Sequence, residues 1–60
     1  MNIKLERVKR GLTQADLAKI AGVSLPTMRR YEADPLAAPS KVLCILADFF
    51  EVTTDYLLGR

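Results

Sequence analysis

Arg29 and Arg30 stand side by side one helical turn after Leu25-Pro26. An arginine fork can donate two parallel hydrogen bonds to the edge of guanine, and a leucine can pack on a thymine methyl group. Residues four apart on a helix share a face, so Leu25 and Arg29 can meet the same stretch of major groove. Of the pair, Arg29 is the stronger candidate for a base, because Arg30 lies nearer the helix flank. The plainer use of either is a phosphate contact or a solvated charge. Thr13, Gln14 and Thr27 carry hydroxyl or amide groups suited to phosphate oxygens. Lys9, Arg10, Lys19 and Lys41 are generic cations for a phosphate backbone, each also readable as ordinary surface charge.

These side chains need a frame, and Gly11 to Glu32 supplies one. Thr13 reads as an N-cap, with Asp16 at the third helical position and Leu12 and Leu17 placed as a hydrophobic staple. The same grammar recurs at Val23-Ser24 with Met28, and at Val52-Thr53 with Leu57. A second helix is therefore expected from Gln14 to Ala21, closed by Gly22, and a third from Leu25 to Ala33. Pro26 is harmless in a first turn, whose amides have no intrahelical acceptor to lose. The tight Gly22-Val23 corner makes this a helix-turn-helix, with Met28 and Tyr31 facing inward and Ser24 to Ala33 offered to DNA.

Around that unit, Asn2 to Arg10 reads as a first helix ended by Gly11, with Lys9 and Arg10 in its last turn. Asp34 to Pro39 reads as a loop, since residues preceding proline avoid the helical region. Ser40 is expected to cap a fourth helix, Lys41 to Phe50, whose apolar residues run nearly all the way round and must be largely buried or dimerised. Cys44 within it is expected to be a small core residue. Phe50 is expected in the core, with Phe49 open between core and dimer interface. Tyr31 and Tyr56 read as core-edge aromatics. A short fifth helix, Thr54 to Leu58, ends at Gly59. No alternating stretch or hairpin dipeptide points to a strand. The expected fold is thus all-α, one five-helix domain over residues 1–60.

Composition agrees. Sixty residues, half of them hydrophobic, allow one small core built from local contacts. The net charge of +2 is unevenly spread. Lys4, Arg7, Lys9, Arg10, Lys19, Arg29 and Arg30 outnumber Glu6 and Asp16 in the first half. Glu32, Asp34, Asp48, Glu51 and Asp55 outnumber Lys41 and Arg60 in the second. A chain with one basic half suits a polyanionic partner. A single cysteine excludes an internal disulfide, and neither a signal peptide nor a membrane-spanning run is present in these residues. A bacterial cytoplasm or nucleoid is the expected compartment.

The segments TQADLAKIAGVS, TMRRYE and LADFFEVTTDYLLG occur in an order and spacing that resemble the lambda-repressor-like helix-turn-helix family, the Cro and Xre type of bacterial and phage regulators. The resemblance covers essentially the whole chain. It implies a compact five-helix domain that binds double-stranded operator DNA, usually as a homodimer on a two-fold-related site. Gln14 matches the family's glutamine that braces the recognition helix and reaches phosphate or base. Ser24, Leu25, Pro26, Thr27, Arg29 and Arg30 match the front of the recognition helix. Arg7 and Glu32 match a partly buried ion pair tying the first helix to the end of the third. Leu25 and Pro26 stand where many relatives carry Gln, Ser or Thr, which removes amide readout of adenine. Asp34 replaces a common Gly, and aspartate is expected to take the left-handed turn there. The Pro35 to Pro39 segment differs from the common loop.

The function expected is a DNA-binding transcriptional regulator, acting as a repressor. The alternative is a protein-interaction or antitoxin-type helix-turn-helix module using the apolar surface of the fourth and fifth helices. Catalysis finds no support: there is no histidine, no thiol–base pair, no phosphate-binding glycine loop and no metal-ligand spacing. No cofactor and no small-molecule effector are expected within this chain.

Overall fold

Three helices of the chain begin in the same way, because three hydroxyl side chains do the same work. Thr13, Ser24 and Thr53 are extended, and each side-chain oxygen accepts from the amide three residues on. At Thr13 the box is complete: Asp16 N donates to Thr13 Oγ1 at 3.0 Å, and Thr13 N donates to Asp16 Oδ2 at 3.0 Å. The computed structural model describes residues 2–59. Its helices are α1 (Asn2–Lys9), α2 (Gln14–Ala21), α3 (Leu25–Ala33), α4 (Ser40–Phe50) and α5 (Thr54–Leu57). A single 3₁₀ turn, Pro35–Ala37, links α3 to α4. No strand occurs among the described residues.

α4 forms the spine of the core. Val42, Leu43, Leu46, Ala47 and Phe50 line its inner side. They join Ile3 of α1, Leu17, Ala18 and Ala21 of α2, Met28 and Tyr31 of α3, and Leu57 of α5 in one buried cluster. Val23 and Val52 pack against that cluster from the residues preceding two N-caps. Ile3, Leu17, Met28, Leu46 and Leu57 are fully enclosed, so each contributes close to the whole burial gain of an apolar side chain, roughly 1.5–3 kcal/mol. Phe50 is buried and Phe49 is 43% exposed, with their rings edge to face at 5.3 Å.

Four sequence expectations need correction. Cys44 is exposed rather than in the core. Lys41 and Asp48, seven residues apart, mark an outward line along α4, and Cys44 lies beside that line rather than on the inner side. Asp34 is not left-handed: its φ is −142° and ψ 89°, as the following proline requires. The segment expected as a plain loop instead tightens into the 3₁₀ turn, with Ala37 N and Ala38 N donating to Asp34 O and Pro35 O. Ser40 is not a cap. Pro39 occupies the N-cap position without a side-chain bond, and its carbonyl accepts from Leu43 N at 3.0 Å. The left-handed non-glycine residue is Glu51, at φ 57°, which closes α4 by donating its amide to Ala47 O and Asp48 O.

Candidate nucleic-acid interface

The corner between α2 and α3 is set by a left-handed residue at Gly22, φ 74°. Gly22 N donates to the carbonyls of Ala18 and Lys19, and Val23 N donates to Ala18 O at 3.0 Å. This closure uses the last carbonyls of α2 and turns the chain within two residues into the next N-cap, Ser24. Ser24 Oγ accepts from Thr27 N at 3.3 Å and donates to Thr27 Oγ1 at 2.8 Å. The hydroxyls at the front of α3 therefore hold each other, and Pro26 stiffens the same turn.

Behind the exposed side of α3 runs a chain of hydrogen bonds. Arg7 Nε donates to Glu32 Oε2 at 2.7 Å, and Arg7 Nη2 donates to Glu32 Oε1 at 3.3 Å. Arg7 Nη1 also donates to Leu12 O at 2.8 Å, tying α1 to the start of α2. The pair is withdrawn from water, with side-chain exposures of 12% and 4%. Gln14 Nε2 donates to Glu32 Oε1 at 3.1 Å, and Gln14 Oε1 accepts from Arg29 Nε at 3.4 Å. An acceptor-only carboxylate on one side fixes which way the Gln14 amide points. Its oxygen must then face Arg29, whose two terminal nitrogens have no hydrogen-bond partner among the described residues.

The residues named from sequence thus divide. Gln14, Arg29, Arg7 and Glu32 come together. Arg29, Arg30, Pro26 and Ser24 are exposed, and Leu25 and Thr27 half-buried, on the same helix. Thr13 is exposed at the start of α2, where the backbone and side chain of Thr13 hold the Asp16 carboxyl below its ordinary pKa. Asp16 is therefore an anion at that helix start and offsets part of its attraction for phosphate. Lys19 and Lys41 are exposed on α2 and α4. Arg10 remains exposed but is engaged by the fold itself. It bonds Glu6 at 2.7 Å and Phe50 O at 2.9 Å, with its guanidinium 4.8 Å from the Phe50 ring centre. Lys9 pairs with the same Glu6 at 3.2 Å.

Sequence reasoning missed Glu6. It is 3% exposed and accepts from Lys9, from Arg10, and from Tyr56 Oη at 2.8 Å. The Arg10 bond first, then that from Tyr56, lowers the Glu6 carboxyl to about 2, against the opposing effect of burial. The same carboxylate raises the Tyr56 phenol above its ordinary value. The available signal was the Glu6, Lys9, Arg10 spacing of one helical turn, which is the spacing of side-chain pairs on a helix.

A helix-turn-helix family model matches residues 3–57. The chain belongs to the lambda-repressor-like, Cro/C1-type helix-turn-helix family. Membership carries a DNA-binding function of the transcription-regulator type. Neither the search of curated proteins nor that of solved structures returned a match. No helix among the described residues is long and apolar enough to cross a membrane.

Proposed function

We propose that this helix-turn-helix protein is a sequence-specific repressor that inserts α3 into the major groove of a two-fold-symmetric operator. The supporting observation is the bonded series Arg7–Glu32–Gln14–Arg29, which presents an arginine from a buried anchor. A guanidinium already held in place loses less conformational entropy when it meets a base than a freely rotating one. Arg29 reads guanine, Leu25 packs on a thymine methyl, and Arg30 lies along the flank toward phosphate. Thr13, Gln14 and Thr27 set the register by bonding phosphates, with Lys19 and Lys41 as outlying cations. Two copies on half-sites about 34–36 Å apart occupy successive major grooves and exclude polymerase. The reading places the protein in a bacterial cytoplasm or nucleoid. It calls for no cofactor, effector or catalytic group.

The test is selection from a random duplex pool at near-physiological salt, followed by sequencing of what is retained. Enrichment of a two-fold-symmetric site, altered at particular bases by Arg29→Ala, is the expected outcome. Retention without any enriched sequence overturns specific reading. No retention, together with a tightly bound companion protein, favours the interaction-module alternative.

A further inference from the structure

The front of α3 keeps little polar function for bases. Ser24 Oγ accepts from Thr27 N at 3.3 Å and gives its own proton to Thr27 Oγ1 at 2.8 Å. The next two positions are Leu25 and Pro26, whose side chains carry no donor or acceptor. Leu25 is half-buried, yet it belongs neither to the buried core cluster nor to the partly buried residues packed on it. Pro26 is exposed beside it. An apolar surface is thus held at the reading end of the helix without serving the core. One turn on, Arg29 is exposed, with its Nε donating to Gln14 Oε1. Four residues of helix rise about 6 Å and base pairs stack about 3.4 Å apart, so what Leu25 meets lies within about two base pairs of what Arg29 meets.

Resting on the reading that α3 enters the major groove, we propose that Leu25 and Pro26 recognise the C5-methyl group of a pyrimidine and not the base that carries it. Thymine presents that methyl beside its O4 acceptor, whereas cytosine presents the N4 donor and no methyl. 5-Methylcytosine bears the same methyl on the same ring carbon, beside cytosine's amino group. Side chains without polar atoms cannot tell the oxygen from the amino group, but they lose packing when the methyl is missing. Thymine and 5-methylcytosine are therefore equivalent at this position, and uracil and unmodified cytosine are disfavoured alike. A hydroxyl or amide at position 25 would read the exocyclic group and separate the two methylated bases. Binding at such a site consequently follows the methylation state of its cytosine: the methyl group raises affinity, where a polar reading face would be indifferent or obstructed.

Three random duplex pools test this on the wild-type protein: one built with thymine and cytosine, one with uracil and cytosine, and one with uracil and 5-methylcytosine. Retained duplexes are copied and sequenced. The first pool should enrich thymine within about two base pairs of the guanine that depends on Arg29. In the second that preference should vanish while the guanine persists. In the third, cytosine should take the place of thymine. Titrated on one enriched duplex, each methyl group should change affinity about fourfold, the value of one buried methyl. Leu25→Ala should flatten the methyl dependence and keep the guanine, with circular dichroism confirming that the variant is folded. Absence of the thymine preference, its survival with uracil, or a third pool without the cytosine overturns the methyl reading and leaves operator reading standing. No enriched sequence in any pool overturns both.

Discussion

Replacing Glu32 with alanine removes the acceptor of three hydrogen bonds: two from Arg7, at 2.7 and 3.3 Å, and one from Gln14, at 3.1 Å. The Arg7 side chain, 12% exposed, stays behind with only Leu12 O for a partner. Removing one member of a desolvated pair strands the other, at a cost of roughly 3–5 kcal/mol. A domain of this size is stable by roughly 0.05–0.15 kcal/mol per residue, so the loss rivals the whole folding free energy. With about 4–8 °C lost per kcal/mol, the midpoint should fall by at least about 12 °C. Urea titration followed by helical circular dichroism, with a thermal scan as a check, measures both quantities. Arg7→Met/Glu32→Leu should be clearly more stable than Glu32→Ala, because no buried charge is then stranded. A Glu32→Ala loss below about 1 kcal/mol, the behaviour of an exposed pair, refutes the argument.

Three further outcomes are expected. Arg29→Ala should reduce discrimination at one base pair by roughly 1–3 kcal/mol, while Arg30→Ala should weaken binding about equally on all sequences; anisotropy titrations against a matched set of single-base operator variants separate the two. The Glu6 carboxyl is lowered in the fold from 4.5 to about 2, so its stabilisation is fully present above about pH 4.5 and is lost as pH falls through about 2. The stability gap between wild type and Glu6→Gln should accordingly close across that acid range, and a gap independent of pH between 5 and 2 would contradict the assignment. Glu51→Gly should stabilise the protein by roughly 0.5–1 kcal/mol in a denaturant titration, because glycine adopts the left-handed conformation at φ 57° without the steric cost of a Cβ; unchanged or lowered stability would count against it.

Much of this protein was settled within short windows of sequence. Thr13, Ser24 and Thr53 act on amides three residues away, and Gly22 acts on the carbonyls just before it. The bounds of α2 and the start of α3 follow from such contacts, Pro35 ends α3, and the inward spacing of Met28 and Tyr31 leaves Arg29 and Arg30 on its outer side. The Arg7–Glu32 pair, by contrast, came from the family resemblance, since no local pattern joins residues so far apart. Tertiary packing decided what local pattern left degenerate. Lys41 and Asp48 mark an outward line on α4, but the apolar residues beside that line could face either way, and the packing of neighbouring helices left Cys44 and Phe49 in solvent while enclosing Phe50. Arg10 looked like a free cation, and folding brought it to the carbonyl that ends α4. Glu6 looked like a surface acid until α5 carried Tyr56 against it from across the chain. A cap or a turn is fixed by atoms a few residues apart, whereas the fate of a charge depends on which groups the rest of the fold brings to it.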